Sequence, residues 1–488
     1  MPSLLIEAGP GTGKTTTISM VTTYLRATNK EAWYKFRPRI TAEQQTILDW
    51  CDTHLPHDGT MIGMAYNKTA AELLNSRTHV SVQCKSIHGW GYKSVLAHCK
   101  GYIPVNESSP ITIVEKITAQ SFQSLPDKYD WLCAIRYSEK LKEELLSISL
   151  DNFRYLSQKY EDLSAFKASE STAIKIKQLL PFMKNPDKKR GIQYIDQVWL
   201  AHFLIKSPIY DIALIDECQD ISPLRRYVCN AIAHNKIWIG DRYQAINAFA
   251  GADAKSIEKI EALDVDILPL KTSFRCPTSV INKLNLLRPL AKLRGLDKKV
   301  GFDHRIPLDK YAESVSTNDP STTLTLSRTN APLITAAYQL LEANIPCRIL
   351  GDRAVDQLCN IVKKQNAASM PELIAKLDRY EQNITRNLDE YIAELFRDKI
   401  SCIKIIINKV SSPEEVIPEL KKLFKPSSSG HATLCTIHKG KGLEAENVYI
   451  LFPPIESPLA RTTEQKEQEL NLRYVAESRT FNNTYWVV

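Results

Sequence analysis

Residues 4–15 read LLIEAGPGTGKT, and residues 16–25 continue TTISMVTTYL. The leading apolar run has the length of a buried strand, and the trailing one is apolar at helical spacing. Between them AGPGTGKT, Ala8–Thr15, places Gly9, Gly11 and Gly13 in a tight loop. Glycines let the backbone wrap closely around phosphates, whose charge then sits at a helix N-terminus. In such a loop Thr12 and Thr16 flank the phosphates and Lys14 reaches their β and γ groups. The Thr15 hydroxyl holds Mg²⁺. A glycine-rich turn with an exposed lysine is the alternative, and it fits the strand–loop–helix context less well.

About two hundred residues on, the apolar run IALI (212–215) delivers Asp216 and Glu217 of DECQD. The pair should stand at the carboxyl end of a strand, where open α/β sheets bind ligands. Asp216 is suited to hold Mg²⁺ through water, and Glu217 to orient or deprotonate an attacking water. Alone, an acidic pair after a strand reads as a solvated loop. With the upstream loop, nucleotide hydrolysis is the better reading.

The 488 residues exceed what one hydrophobic core serves and suggest two to four domains. Apolar content of 43% and charged content of 24% describe an ordinary globular protein. A net charge of +8 permits an anionic partner without demanding one. Two basic clusters, KNPDKKR (Lys184–Arg190) and RPLAKLRGLDKK (Arg288–Lys299), read as solvated surface or phosphate contacts. Eleven cysteines without a C-x-x-C pair argue for a reducing compartment, against disulfides or a zinc site. Cys218, inside DECQD, reads as a small buried side chain. No charged-then-apolar leader and no bilayer-length apolar run are seen. The expectation is a soluble protein without a membrane partner, cytoplasmic (host cytoplasm if phage-encoded) or nuclear in a eukaryote.

Further signatures follow in order: AYNKTAAELL (Ala65–Leu74), CKSIHGWGY (Cys84–Tyr92), IGDRYQAINAFAGA (Ile239–Ala252) and LKTSFR (Leu270–Arg275). LSRTN (Leu326–Asn330), TIHKGKGLE (Thr436–Glu444) and ELNLRYVAESR (Glu469–Arg479) complete the set. Taken together they resemble the UvrD/Rep family of superfamily 1 DNA helicases. AYNKTAAELL followed by CKSIHGWGY is most similar to the F-box DNA helicases and their short phage relatives.

The resemblance implies an α/β fold with two RecA-like P-loop motor domains, parallel sheets and a helical insertion in each. It implies ATP and Mg²⁺ as cofactors, single-stranded and tailed duplex DNA as partners, and a monomer. Replication or recombination proteins are candidate further partners. In this reading Gln244 senses the γ-phosphate, and an amide can both donate to phosphate and orient water. Arg275 and Arg479 match the two arginines that reach the γ-phosphate from the second motor domain, which couples hydrolysis to closure. Phe274 matches the ring that stacks on adenine; Gly442 and Glu444 belong to the nucleotide site, the acid near the ribose. For DNA, Tyr66 and Phe249 match rings that stack on successive bases. Asn67 and Thr436 belong to the same strand-binding motifs, and His88 and His438 match positions near the backbone.

Some positions depart from the family. INAFAG has Asn247 where an aromatic is usual and Ala250 where an arginine is usual, which puts step coupling or DNA affinity in doubt. The closing motif reads E-S-R where L-T-R is commoner. The glutamine segment that usually precedes the phosphate loop is missing there, but RITAEQQTILDW (Arg39–Trp50) is similar to it. Either Gln44 or Gln45 reads the base from a chain that loops back, or the segment is an amphipathic surface helix.

This placement gives a first motor domain of residues 1–95 and 205–268, interrupted by a helical insertion at 96–204. SEKLKEELLSISL and STAIKIKQLLPFM supply its helices. A second motor domain spans 269–350 and 431–488 around a small helical insertion at 351–430, which contains MPELIAKLDRYEQNI and LDEYIAELFRDKI. SSSG in KPSSSGH marks its closing boundary loop. The implied activity is ATP-dependent translocation, 3′-to-5′, with duplex unwinding. A translocase that strips proteins from DNA with little unwinding and a non-catalytic nucleic-acid scaffold stay open; a small-molecule kinase would not require the later motifs.

Overall fold

The computed structural model of the chain describes residues 2–35, 40–163, 166–247, 253, 255–296, 299–386, 388, 390–424, 431–451 and 456–488. Two compact units emerge, one of residues 1–9 and 13–270, the other of residues 10–12 and 271–488.

The first unit is built on β1 (Ser3–Ala8), β2 (Met61–Ala65), β3 (Gln83–Ser86), β4 (Tyr210–Ile215), β5 (Ala233–Gly240) and β6 (Asp266–Leu270). Their order is β3-β2-β4-β5-β1-β6, with every pairing parallel. Parallel strands covered on both faces read as continuous apolar runs, and LLIEA and IALI do. Alternation then sorts each strand between two cores. Leu4, Ile6, Leu214, Ile237 and Ile239 pack with Val21 of the helix Lys14–Leu25 and with Ile47 and Leu48 of the helix Ala42–His54. Leu5, Met64, Ile215 and Trp238 face the helices that fill the stretch between β3 and β4.

That stretch holds the helices Ile87–His98, Ser109–Thr118, Lys128–Glu144, Leu150–Lys159, Glu170–Lys184 and Asp196–Leu204. STAIKIKQLLPFM is helical throughout. SEKLKEELLSISL is not one helix: it breaks at Leu145, which takes a left-handed φ of 52° and returns its amide to the Leu141 and Lys142 carbonyls. Ser149 then caps a new helix by accepting from Asn152 N at 3.2 Å.

The second unit carries β7 (Phe302–Ile306), β8 (Thr323–Ser327), β9 (Cys347–Ile349), β10 (Ala432–Thr436), β11 (Ala445–Leu451) and β12 (Thr480–Val487). They form a second parallel sheet ordered β7-β12-β11-β8-β10-β9. Between β9 and β10 run the helices Asp352–Gln365, Met370–Thr385, Glu390–Ile407 and Pro413–Leu423. Their Leu377, Ile403, Val416 and Leu420 share one core with Ile349 and Leu434 of the sheet and Leu340 of the helix Ala331–Glu342. SSSG lies outside the described residues.

The basic clusters are partly internal. Arg288 is buried, with Nη1 2.8 Å from Glu467 and Nη2 donating to Asn471 Oδ1 at 2.6 Å. Arg190 spends its guanidinium on the Phe182 and Asn185 carbonyls, both at 2.8 Å. All eleven cysteines are free thiols, and Cys218 is fully buried. Among the described residues, no helix is long and apolar enough to cross a membrane.

Candidate nucleotide site and nucleic-acid surface

In the first unit β1 ends at Ala8, and Gly9 N donates to Leu270 O at 3.0 Å. Gly11 and Gly13 then take φ of 68° and 85°, the left-handed region that side chains avoid. Gly13 is the N-cap of the helix Lys14–Leu25 and, being glycine, brings no capping side chain of its own. A helix N-terminus of this kind suits an anion.

β1, β5 and β4 are neighbours, so their carboxyl ends bring three motifs to one edge. Lys14 Nζ lies 3.6 Å from Glu217 Oε1. Gln219 Nε2 donates to the Glu217 carboxylate, and Gln219 Oε1 accepts from Asp241 N at 3.1 Å. Asp241 Oδ2 in turn accepts from Gln244 Nε2 at 2.8 Å. A Cβ on Gly240 would meet Gln219 Oε1 at 2.6 Å and Cys218 Sγ at 2.7 Å, so this packing of DECQD on β5 needs glycine. Gln219 and Asp241 lie in DECQD and IGDRYQ, but nothing in the pattern alone marks them as links of the site.

The electrostatics suit a bound cation. Asp216 is buried, and its carboxyl is pushed up to about 7, chiefly by burial and then by the Glu217 charge, against the pull of Lys14. Burial also raises Asp241, again opposed by Lys14. Lys14 favours the charged form of both carboxyls, and a divalent ion beside Asp216 would act in the same sense. Thr15, half-buried in the first turn of the helix, and exposed Thr16 flank this edge.

RITAEQQTILDW forms the helix Ala42–His54, capped by Thr41. Gln44 points inward: its Nε2 donates to Thr17 Oγ1 at 3.2 Å and would lie 3.7 Å from a Cβ on Gly13. Gln45 turns away to Tyr34 and Asp49.

The second unit gathers the remaining nucleotide candidates. Phe274 N donates to Gly11 O at 2.9 Å and Ser273 Oγ to Pro10 O at 2.8 Å, while the Phe274 ring is 44% exposed. Arg275 pairs with Glu444 and donates from Nη1 to Ser478 O at 3.3 Å. Arg479 is buried and donates to Val475 O and Ser478 Oγ, both at 2.9 Å. Ser478 of the E-S-R variant therefore touches both arginines. Gly442 has φ 90° with nothing within 4 Å of an added Cβ, so backbone conformation alone asks for glycine there.

Of the nucleic-acid candidates, Tyr66 follows β2, with the Arg225 guanidinium 5.4 Å from its ring centre and Glu143 3.3 Å from Arg225. Asn67 caps the helix Lys68–Arg77 by accepting from Ala70 N at 2.8 Å. His88 is buried and stacks on Tyr194 with ring centres 4.1 Å apart and planes 14° off parallel. Burial, then Arg225, lowers its pKa to about 3, which keeps it neutral. Tyr194, 53% exposed and unforeseen from sequence, presents the outer ring of that stack. Thr436 ends β10 and His438 sits in the short helix Ile437–Gly440 beside it. Phe249 and Ala250 lie outside the described residues.

Comparison with known proteins finds a matching family and relatives for this chain. The AAA domain family matches residues 1–250. F-box DNA helicase protein 1 of Schizosaccharomyces pombe (strain 972 / ATCC 24843) is 23% identical over 495 residues, covering 90% of this chain and 53% of that protein. RecBCD enzyme subunit RecB of Buchnera aphidicola subsp. Baizongia pistaciae (strain Bp) is 28% identical over 188 residues, covering 36% of this chain and 15% of that protein. The chain thus spans about half the length of the first relative and a smaller share of the second. By its matched domain and these relatives, the chain belongs to the UvrD/Rep-like helicases of superfamily 1.

Proposed function

We propose that this chain is an ATP-driven, Mg²⁺-dependent motor that moves 3′-to-5′ along single-stranded DNA and separates duplexes. The observation that carries the reading is the unbroken connection Lys14–Glu217–Gln219–Asp241–Gln244 across the ends of β1, β4 and β5. It joins the lysine of a phosphate loop to an acid able to activate water and an amide able to sense phosphate, as hydrolysis of a terminal phosphate requires.

In this reading Gly9, Gly11, Thr12, Gly13 and Thr16 line the phosphates, while Thr15 and Asp216 hold the metal. Bound Mg²⁺ supplies charge neutralisation to the phosphates. Glu217 takes the proton of the attacking water, and Arg275 and Arg479 answer the charge of the transferred group. Such an arginine is worth about 10³- to 10⁵-fold in rate. Phe274 and Gln44 are the candidates to contact the base and Glu444 the ribose, with Gly442 among the nucleotide-binding residues. Tyr66, Phe249 and Tyr194 stack on bases; Asn67, His88, Thr436 and His438 shape the strand's path, with His88 acting from beneath Tyr194. The motor domains are 1–95 with 205–268 and 269–350 with 431–488, the segments 96–204 and 351–430 being helical insertions. The protein acts as a monomer, with replication or recombination proteins as further partners.

Asn247 in place of an aromatic favours one second reading, a translocase that strips proteins from DNA and unwinds little. ATP turnover with and without single-stranded DNA, together with opening of 3′- and 5′-tailed duplexes, tests both. DNA-stimulated turnover with opening of the 3′-tailed duplex supports the helicase. Stimulation without opening supports the translocase, and absence of turnover overturns both motors.

A further inference from the structure

In the LSRTN stretch, Arg328 stands at the centre of a polar cluster in the second unit. Its side chain is 8% exposed. Nε and Nη2 each donate to one oxygen of Glu469 at 2.8 Å, a planar fork, and Nη1 donates to Glu394 Oε2 at 2.8 Å. Glu469, 2% exposed, also accepts from Tyr391 Oη at 2.6 Å and from Ser457 N at 2.9 Å. Ser457 Oγ donates to Glu394 Oε2 at 2.8 Å, which closes the ring. Four residues along the same helix as Glu394, Asp398 accepts from Asn330 N and Ala331 N at 2.9 Å and from Asn330 Nδ2 at 3.2 Å. It thereby caps the helix Ala331–Glu342, whose own cap residue Asn330 makes no side-chain cap bond.

Both ends of this cluster sit on rigid elements. Tyr391, Glu394 and Asp398 lie on the helix Glu390–Ile407, which shares its core with the sheet. Glu469 lies on the helix Thr463–Glu477, one to two turns before Val475, whose carbonyl holds the Arg479 guanidinium. At 1.5 Å per residue that separation is about 9 Å of continuous helix.

We propose that the helix Glu390–Ile407 is a positioning element for Arg479: Tyr391, Glu394 and Asp398 fix the LSRTN turn and, through Arg328 and Glu469, the helix that ends at that arginine. The inference rests on the hydrolysis reading above, in which Arg479 acts on the transferred phosphate. A buried ion pair that only stabilises the fold is the competing account. A small displacement of a catalytic group costs up to about 10²-fold in rate.

The test uses Tyr391→Phe and Glu394→Gln in the full chain, which keep side-chain volume and so spare the fold. Expected is a fall in DNA-stimulated kcat of about 10-fold, with an unchanged KM for ATP and a melting temperature near that of the wild type. In an Arg479→Lys background, and in a Ser478→Ala background that removes one of the arginine's acceptors, Tyr391→Phe should add little further loss. A wild-type kcat in both single variants, or the same fold loss in every background, overturns the positioning role while leaving the hydrolysis reading intact. Absence of turnover in the wild type overturns both.

Discussion

Lys14 Nζ lies 3.6 Å from Glu217 Oε1 across the ends of two strands separated in the sheet by β5. The lysine of the phosphate loop and the acid of DECQD therefore share one electrostatic site, yet their proposed tasks differ. Lys14→Ala should abolish nucleotide binding. Glu217→Gln should keep binding and lower turnover by about 10²- to 10⁴-fold, the worth of a positioned general base. A nucleotide titration beside steady-state hydrolysis checks both, and wild-type turnover in Glu217→Gln would assign the base elsewhere.

The raised pKa of Asp216 makes a second prediction. Its ordinary carboxyl value is 3.8 and burial lifts it to about 7 in the folded chain. Between these values the native state holds more protons than the unfolded chain, so this group's contribution falls as pH rises. The penalty is absent below about pH 4 and complete above about pH 7. Asp216→Asn should therefore melt higher than the wild type above pH 7, by a difference on the order of a few kcal/mol. The gap should close below pH 4. Denaturation of both proteins across this range, without divalent ions, is the measurement. Added Mg²⁺ should narrow the gap from the wild-type side, since a cation at the carboxylate favours its charged form.

A third prediction separates two adjacent glutamines. Gln44 Nε2 bonds Thr17 beside the phosphate loop, whereas Gln45 bonds Tyr34 and Asp49. Gln44→Ala should raise the KM for ATP on the order of tenfold, as expected when a buried polar partner is removed. It should also weaken discrimination between ATP and other nucleoside triphosphates. Gln45→Ala should change neither. Kinetics with all four triphosphates decide it, and equal effects at both positions would sink the assignment.

Legibility in the sequence followed the range of the physics. LLIEA, the glycines and TTISMVTTYL are local, so strand, loop and helix could be read off directly, as could the acid pair after IALI. Gln44 was different: periodicity allowed a helix but not the face it buries, and only packing of Ile47 and Leu48 against the sheet turned Gln44 inward. Arg288 read as surface because a basic run looks solvated, and its partners Glu467 and Asn471 stand on a helix far along the chain. The break at Leu145 was hidden because a left-handed residue ends the helix without glycine. Tyr194 was invisible for a related reason: its meaning comes from His88, a residue brought beneath it only by the fold.

That stack carries the last prediction. Tyr194 is half exposed and rests on a buried neutral imidazole. Base stacking on an aromatic is worth about 1–3 kcal/mol by alanine substitution. Tyr194→Ala should thus weaken binding of single-stranded DNA by about 5- to 150-fold, and Tyr194→Phe should retain nearly all of it. Because a ring neutralises no phosphate, the slope of log Kd against log salt should stay that of the wild type while its intercept moves. His88 stays uncharged from pH 5 to 8, its pKa being held near 3 by burial and Arg225, so the affinity should show no step from this residue over that range. Fluorescence titrations at several salt concentrations separate the alternatives: a changed slope would assign Tyr194 to the phosphate backbone, and an unchanged affinity would remove it from the strand's path.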